Sequence, residues 1–333
     1  ASYTGGLLGK GETVNFENCD LSITKLNGSS YVGGLLGQGN TVSIEHCKIE
    51  PVELKGANYV GGFLGEGKTV NLKNCETLNG KIRTDSTAAK TYCGGIVAAV
   101  SSTGTIESCT NKASISMYAP AYTNYRENDN YATTDPTYSY TGGIAGFFRG
   151  TTILSCGNYG NVSARKTSFL YAGGIVGSFN GSNITLCENN AIINSDSNYY
   201  YWDYYWAEGI STNYVSVSYT GGIVGSFSGS KIDTCTNNEK IIAKTYKSNN
   251  GSREEPCAGG IAGHSYNGGY INECKSTATV SIGGNTRAIQ TAIGSGFSTV
   301  ENCIAFPSSI DFISGGTAKN CYSISSFTAE NGT

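Results

Sequence analysis

The sequence predicts an all-β fold, a right-handed parallel β-helix (β-solenoid) of about ten coils, with three short strands per coil and loop insertions on one flank. The main observation is an internal repeat, Tyr-x-Gly-Gly-(Leu/Phe)-Leu-Gly, that begins at Tyr3, Tyr31 and Tyr59, 28 residues apart each time. The second is a Cys at a nearly constant distance after each glycine pair. The third is that no stretch places apolar residues at helical spacing over three turns, which disfavours a doubly wound α/β fold.

The spacing within the repeat shows which part of it is fixed. From the second glycine to the Cys there are 13 residues in six copies and 14 in two, whereas the interval from the Cys to the next glycine pair varies widely. Stacked coils require this asymmetry, because insertions must leave from a corner that faces solvent. Cys occupies the same repeat position in ten copies, the last two degenerate: Cys19, Cys47, Cys75, Cys109, Cys156, Cys187, Cys235, Cys274, Cys303 and Cys321.

Each copy contains three segments with strand character. The first is the glycine-pair segment, the second carries a β-branched or other apolar residue three positions before the Cys, and the third follows the Cys. We expect the Ile, Leu and Cys columns to lie inside. We expect the glycines at tight corners, where a Cβ would clash with the neighbouring coil.

At these residues the chain resembles the GLUG-type repeats of large bacterial and protist surface proteins. Residues 171–187 and 150–162 carry the resemblance, which covers nearly the whole chain. It implies a right-handed parallel β-helix that acts as a stalk or an adhesive module. The long aromatic insertions and the lack of a companion domain depart from the family pattern.

The composition indicates the cellular location of the protein and the kinds of partner it could bind. Charged residues make up 14% of the chain and the net charge is −3, which disfavours a nucleic-acid partner. We expect a processed, extracellular or cell-surface chain without a membrane span, because no apolar run approaches the length that a membrane helix needs. N-glycosylation acceptors occur at six positions: Asn27, Asn161, Asn180, Asn183, Asn250 and Asn331.

One solenoid domain is expected over residues 1–333. It comprises regular coils in 1–117, coils with long insertions in 118–257 and degenerate coils in 275–333.

The repeat positions of the cysteines favour a buried column of small apolar side chains. The expected distance between neighbouring coils also lies within the Cα–Cα range of a disulfide, so vertical disulfides between coils are an alternative. Cys93 and Cys257 lie outside that column. Either could form a disulfide, Cys93 with Cys75 or Cys109, and Cys257 with Cys235 or Cys274. No metal site or cofactor is expected, since no Cys-x-x-Cys occurs and the two histidines lie in separate coils.

The insertions at 118–140 and 194–219 are rich in Tyr and Trp, and a third at 245–256 is polar. Their rings suit packing on the solenoid wall, contact with another subunit, or binding of a glycan or receptor. The predicted interface residues are Tyr122, Tyr125, Tyr131, Tyr199, Tyr200, Tyr201, Trp202, Tyr204, Tyr205 and Trp206.

The function predicted is that of an extracellular structural protein that self-assembles head-to-tail into a filament or forms a surface stalk. The head-to-tail expectation comes from end coils that carry no recognisable cap. The alternative is an adhesin that binds glycan or a host protein through the aromatic insertions. No catalytic residue is predicted, because the aspartates do not recur at one wall position. A polysaccharide-active enzyme is a further alternative, for which Asp203 is the residue to inspect.

Overall fold

The computed structural model describes residues 2–86, 88–119, 122–126, 131–135, 137–197, 200–206, 209–215, 217–244, 257–283, 289–306 and 311–323. Every regular element in this part of the chain is a β-strand. The described residues therefore contain no helix that could cross a membrane.

The strands divide into ten successive repeats, here called layers. In chain order they are β1 (Tyr3–Gly5), β2 (Leu8–Glu17), β3 (Asp20–Ile23), β4 (Leu26–Asn27); β5 (Tyr31–Gly33), β6 (Leu36–Glu45), β7 (Lys48–Pro51), β8 (Glu53–Gly56); β9 (Tyr59–Gly61), β10 (Leu64–Lys73), β11 (Glu76–Thr77), β12 (Lys81–Asp85); β13 (Lys90–Gly94), β14 (Val97–Glu107), β15 (Thr110–Asn111), β16 (Ser114–Tyr118), β17 (Tyr122–Arg126), β18 (Tyr131–Asp135); β19 (Tyr138–Gly142), β20 (Ala145–Arg149), β21 (Thr152–Leu154), β22 (Gly157–Asn158), β23 (Val162–Thr167); β24 (Phe169–Gly173), β25 (Val176–Asn180), β26 (Asn183–Thr185), β27 (Glu188–Asn189), β28 (Ile193–Ser197), β29 (Tyr200–Trp206), β30 (Gly209–Val215); β31 (Val217–Gly221), β32 (Val224–Phe227), β33 (Lys231–Asp233), β34 (Thr236–Asn237), β35 (Ile241–Lys244); β36 (Cys257–Gly259), β37 (Ala262–Asn272), β38 (Lys275–Ser276), β39 (Val280–Gly283); β40 (Ile289–Glu301), β41 (Ile304–Ala305); β42 (Asp311–Ser314), β43 (Thr317–Lys319) and β44 (Tyr322–Ser323).

These strands form three parallel sheets and one antiparallel sheet. The parallel sheets contain 22, 10 and 8 strands, and the antiparallel sheet contains 4. Within the parallel sheets each strand pairs with its equivalents in the layers before and after it, so that Tyr31 is paired with Tyr3 on one side and Tyr59 on the other. Equivalent residues of the repeat consequently form columns along the stack of layers.

The predicted fold class, a right-handed parallel β-helix with three short strands per coil and loop insertions, is wrong. The parallel strands are gathered in sheets of 22, 10 and 8 strands, and the two aromatic insertions form strands of their own in a separate antiparallel sheet. Each of the first eight layers supplies at least four strand segments to the parallel sheets, and some are long, such as the ten-residue β6 and the eleven-residue β14. The sequence interpretation took the glycine-pair segment and the segment before the Cys as separate strands, but β6 runs without interruption from Leu36 to Glu45.

The core follows from the alternation of side chains along the long strands. In β6, Leu36, Val42 and Ile44 are buried, while Thr41 is exposed. Register pairs Ile44 with Phe16 on one side and Leu72 on the other, so apolar residues continue each other from layer to layer. The expected interior columns of Ile, Leu and Cys are therefore present.

The glycine pair marks a bend where two layers approach closely. An added Cβ at Gly174 would overlap the carbonyl oxygen of Gly222 in the next layer, and the equivalent Gly222 would overlap that of Gly260. The expectation that a Cβ would clash with the neighbouring layer is confirmed. Glycine is required at these positions because a side chain would not fit there. The backbone conformation is not the reason, since φ is not positive at either residue.

A second corner, which the sequence did not predict, precedes each Cys of the column. Its residue adopts a left-handed backbone conformation, with φ between 48° and 54°, in all ten layers: Asn18, His46, Asn74, Ser108, Ser155, Leu186, Thr234, Glu273, Asn302 and Asn320. The following thiol donates to the carbonyl oxygen two residues earlier, as Cys156 does to Leu154 at 3.3 Å and Cys47 to Glu45 at 3.1 Å. The Cys column therefore closes this turn as well as filling the core.

Candidate binding surface on the insertion sheet

The two aromatic insertions form the fourth sheet, here called the insertion sheet (β17, β18, β29 and β30). The first insertion forms the antiparallel hairpin β17–β18, in which Tyr122 is paired with Asp135 and Arg126 with Tyr131. The second forms the antiparallel hairpin β29–β30, in which Tyr200 is paired with Val215 and Trp206 with Gly209. Alternating Tyr, Trp and Thr residues favour this extended structure.

One pairing joins the two hairpins into a single sheet. Thr133 of β18 is the antiparallel partner of Trp202 of β29, which gives the strand order β17–β18–β29–β30. The hairpins leave the array from the fourth and sixth layers, and the fifth layer lies between them. The expectation that both insertions leave at the same corner is consistent with this pairing.

Register assigns the aromatic positions to the two faces of this sheet, because residues paired directly and residues two apart along a strand share a face. The face that contains Trp202, here called the tryptophan face, comprises Tyr122, Asn124, Arg126, Tyr131, Thr133, Asp135, Tyr200, Trp202, Tyr204, Trp206, Gly209, Ser211, Asn213 and Val215. The opposite face comprises Thr123, Tyr125, Ala132, Thr134, Tyr201, Asp203, Tyr205, Ile210, Thr212 and Tyr214.

The predicted interface residues are thus divided by the structure. Both tryptophans share a face with Tyr122 and Tyr131 of the other insertion, whereas Tyr125, Tyr201 and Tyr205 belong to the opposite face. Asp203 also lies on the opposite face. Tyr199 and the third insertion, 245–256, lie outside the described residues.

A second aromatic feature, a column of tyrosines on the array, was not singled out from the sequence. Six rings stack with centroids 4.6–5.1 Å apart: Tyr3, Tyr31, Tyr59, Tyr92, Tyr140 and Tyr171. Burial raises the pKa of Tyr59 to about 12, with the nearby Glu66 carboxylate contributing, and it raises the pKa of Tyr140 further. Because each ring covers the next, this column offers ring edges rather than ring faces to a ligand. The signal for it was the Tyr that precedes most glycine pairs.

A polar network crosses three late layers on the array surface. Lys231 Nζ lies 3.1 Å from Asp233 Oδ1, and Asn272 Nδ2 donates to the same carboxylate at 2.8 Å. Tyr270 Oη donates to Glu301 Oε2 at 2.6 Å, and this bond is the main cause that raises the pKa of Tyr270 to about 12. Register places Asn272 between Asp233 and Glu301, so the two carboxylates do not face each other directly. The network joins the three layers, and its polar groups are hydrogen-bonded or ion-paired to one another.

The cysteines are all free thiols. Cys93 is buried in β13, and its burial raises the pKa of the thiol far above the ordinary value. Cys257 is buried in β36, with its Sγ 3.8 Å from Ser295 Oγ. The structure forms none of the disulfides considered for these two residues, and thiol counting after denaturation without reductant tests this. Among the described residues no cluster of His, Cys, Asp and Glu could hold a metal ion.

The glycosylation acceptors differ in exposure. Asn27, Asn161 and Asn180 are exposed, and Asn183 is half-buried in β26. Asn161 is also engaged, since its Oδ1 accepts a hydrogen bond from the Ile192 amide at 3.1 Å. Asn250 and Asn331 lie outside the described residues.

Comparisons of the chain with family models, with curated proteins and with solved structures found no match. The resemblance to GLUG-type repeats therefore stays a prediction.

Proposed function

We propose that this protein is an extracellular or cell-surface adhesive module, in which the layered array supports the insertion sheet and the tryptophan face of that sheet binds glycan. The observation that carries the proposal is the pairing of Thr133 with Trp202. This pairing brings aromatic residues from the two insertions, 118–140 and 194–219, to one face. A single ordered surface is a better binding site than two separate loops, because less conformational entropy is lost on binding.

The composition of the tryptophan face suits a glycan. Its six aromatic positions lie beside positions occupied by Asn, Asp, Arg, Thr and Ser, and Val215 is its only aliphatic residue. Flat rings can cover the apolar faces of sugars, while amide, carboxylate and hydroxyl groups hydrogen-bond to the sugar hydroxyls.

The array is suited to a supporting role. Its layers are joined by parallel strand pairing in three sheets, with interior Phe rings stacked from Phe148 to Phe179 to Phe227 at centroid distances of 5.6 and 5.5 Å. Buried, regularly paired strands have high local stability, so the array should hold the insertion sheet in a fixed position. Exposed acceptors such as Asn27 and Asn180 are compatible with glycosylation in an extracellular setting.

The test is a glycan array probed with the full chain, followed by affinity measurements on any glycan it retains. Trp202→Ala and Trp206→Ala should each lower the affinity about tenfold or more, as removal of a central aromatic contact does. Tyr201→Ala and Tyr205→Ala on the opposite face are the matched controls and should change it little. Absence of any retained glycan, or equal losses on both faces, would contradict the proposal.

The other predicted functions require separate tests. Electron microscopy of the chain at several concentrations would show a head-to-tail filament directly. Incubation with polysaccharides, followed by assay for new reducing ends or unsaturated sugars, tests the enzyme alternative, and Asp203→Asn is the variant to compare. No described feature favours either function over glycan binding.

A further inference from the structure

The outer edge of β30 is a feature of the insertion sheet that glycan binding does not use. β30 pairs with β29 over seven consecutive residues, from Gly209 to Val215, and within the described part of the chain no strand pairs with its other side. The register shows no bulge. The edge therefore presents a regular row of backbone donors and acceptors available to another strand.

The residues of this edge lack the features that usually prevent strand addition. Natural edge strands are protected by charged residues, proline, bulges or short length. β30 reads Gly-Ile-Ser-Thr-Asn-Tyr-Val, without charge or proline. The opposite edge of the sheet, β17, is shorter, with five residues, and carries Arg126. An unprotected edge of this length is expected to have a partner strand.

We propose that the partner is β30 of a second copy of this chain, paired antiparallel about a two-fold axis at Thr212. This register places Thr212 opposite itself, Ser211 opposite Asn213, and Ile210 opposite Tyr214. The Thr–Thr pair and the Ile–Tyr pairs are of kinds that stabilise antiparallel strands, and the Ser–Asn pairs place no like charges opposite each other. The contact is isologous, so it closes as a dimer and does not continue into a filament.

The pairing joins two insertion sheets into one sheet of eight strands. The tryptophan face of each copy then continues into that of the other, because directly paired residues share a face. A dimer would present two copies of the glycan-binding surface proposed above, and a multivalent glycan would be held more strongly by both than by one. The dimer uses the same sheet as the proposed function, but its formation does not depend on glycan.

The experiment changes Thr212, which lies opposite Thr212 of the second copy in the proposed dimer. Thr212→Asp and Thr212→Lys in the full chain each place like charges opposite each other across the axis, and each should raise the dimer Kd at least about tenfold. Mixing the two variants should restore a dimer, now a heterodimer of opposite charges. Sedimentation velocity over a range of concentrations measures dimer formation by each variant alone and by their mixture. Circular dichroism checks that each variant is folded.

The control is Thr123→Asp on the other edge strand, β17, which should leave the dimer intact. A wild-type chain that stays monomeric at all concentrations would overturn the proposal, as would a dimer that survives both Thr212 variants or two variants that fail to recover on mixing. Loss of the dimer in the Thr123 variant would also overturn it, since it would assign the contact to β17. Trp202→Ala should lower the glycan affinity about tenfold or more and keep the dimer. The failure of one proposal can therefore be distinguished from the failure of the other.

Discussion

Asn158 and Asn189 are joined by a hydrogen bond between consecutive layers, with Asn158 Nδ2 donating to Asn189 Oδ1 at 2.9 Å, and both residues are fully buried. The ladder continues in both directions, to Asn111 at 2.9 Å and to Asn237 at 2.8 Å. It also accounts for the second glycine in four of the pairs, because an added Cβ at Gly95, Gly143, Gly174 or Gly222 would overlap the side-chain amide of the ladder Asn. In the fourth to seventh layers the Asn column and the glycine column are therefore one structural unit.

Replacing Asn158 with Leu should lower the free energy of unfolding by about 3 kcal/mol, because buried partners on both sides lose their hydrogen bonds. Asn111 Nδ2 would lose an acceptor, Asn189 Oδ1 a donor, and the Gly160 amide its bond to Asn158 Oδ1. Chemical denaturation measures the loss. Asn180→Ala, at an exposed position, is the control and should change stability by less than about 0.5 kcal/mol. Equal effects of the two substitutions would show that the ladder contributes nothing.

Gly174→Ala should be far more destabilising than the same change at Gly283. An added Cβ at Gly174 meets the Gly222 carbonyl oxygen and the Asn189 amide, whereas at Gly283 nothing lies within 4 Å. Overpacking of rigid backbone costs about 1–3 kcal/mol or more. We expect a loss of about 3 kcal/mol at Gly174 and almost none at Gly283, measured by thermal unfolding. A Gly174 variant as stable as the wild type would mean that the layers can separate at little cost.

Leu186→Asn should stabilise the protein by about 1 kcal/mol, since a left-handed conformation is costly for Leu and tolerated by Asn. Leu186 has φ 54° and is 53% exposed, so the substitution loses little burial. Leu7→Asn, at a Leu that is 52% exposed and has no positive φ, is the matched control and should not stabilise. Denaturation midpoints compare the two. A gain at both positions would show that replacing an exposed Leu with a polar residue is the cause, not relief of backbone strain.

The sequence predicted the repeat, the interior Cys and Ile columns and the close approach at the glycine pairs, because each produces a fixed spacing. It did not predict the left-handed corner, since residues as different as Asn18, Leu186 and Glu273 occupy it. Only the following Cys is constant there, and its hydrogen bond to the residue two before it is visible only in the structure.

The insertion sheet could not be predicted from the sequence, for a different reason. The aromatic content of both insertions was evident, but the pairing of Thr133 with Trp202 joins segments separated by the whole fifth layer. Strand register between distant segments depends on tertiary geometry, which composition does not encode. The predicted interface residues were consequently named without their division between two faces.

Stability should also fall as the pH drops below about 6.5, the ordinary pKa of His, because of His264. Burial lowers the pKa of this histidine, whose ring stacks on Tyr219 at 4.9 Å and meets the edge of Tyr266 at 5.1 Å. Its neighbours in register, Ser226 and Ser295, carry no charge, and its Nδ1 has no hydrogen-bond partner among the described residues. The folded state therefore favours the neutral ring.

The direction of the pH effect follows from proton binding. Because the unfolded chain takes up a proton on His264 at a higher pH than the folded chain does, this contribution to stability is complete above about pH 6.5 and declines as the pH falls toward the lowered folded pKa. The measurement is the free energy of unfolding at pH 7.5, 6.5 and 5.5 for the wild type and for His264→Gln. The decline between pH 7.5 and 5.5 should be smaller in the variant. His46→Gln, at an exposed position, is the control. If the wild type and His264→Gln declined in parallel, the loss would belong to other groups, and burial of His264 would have no role in it.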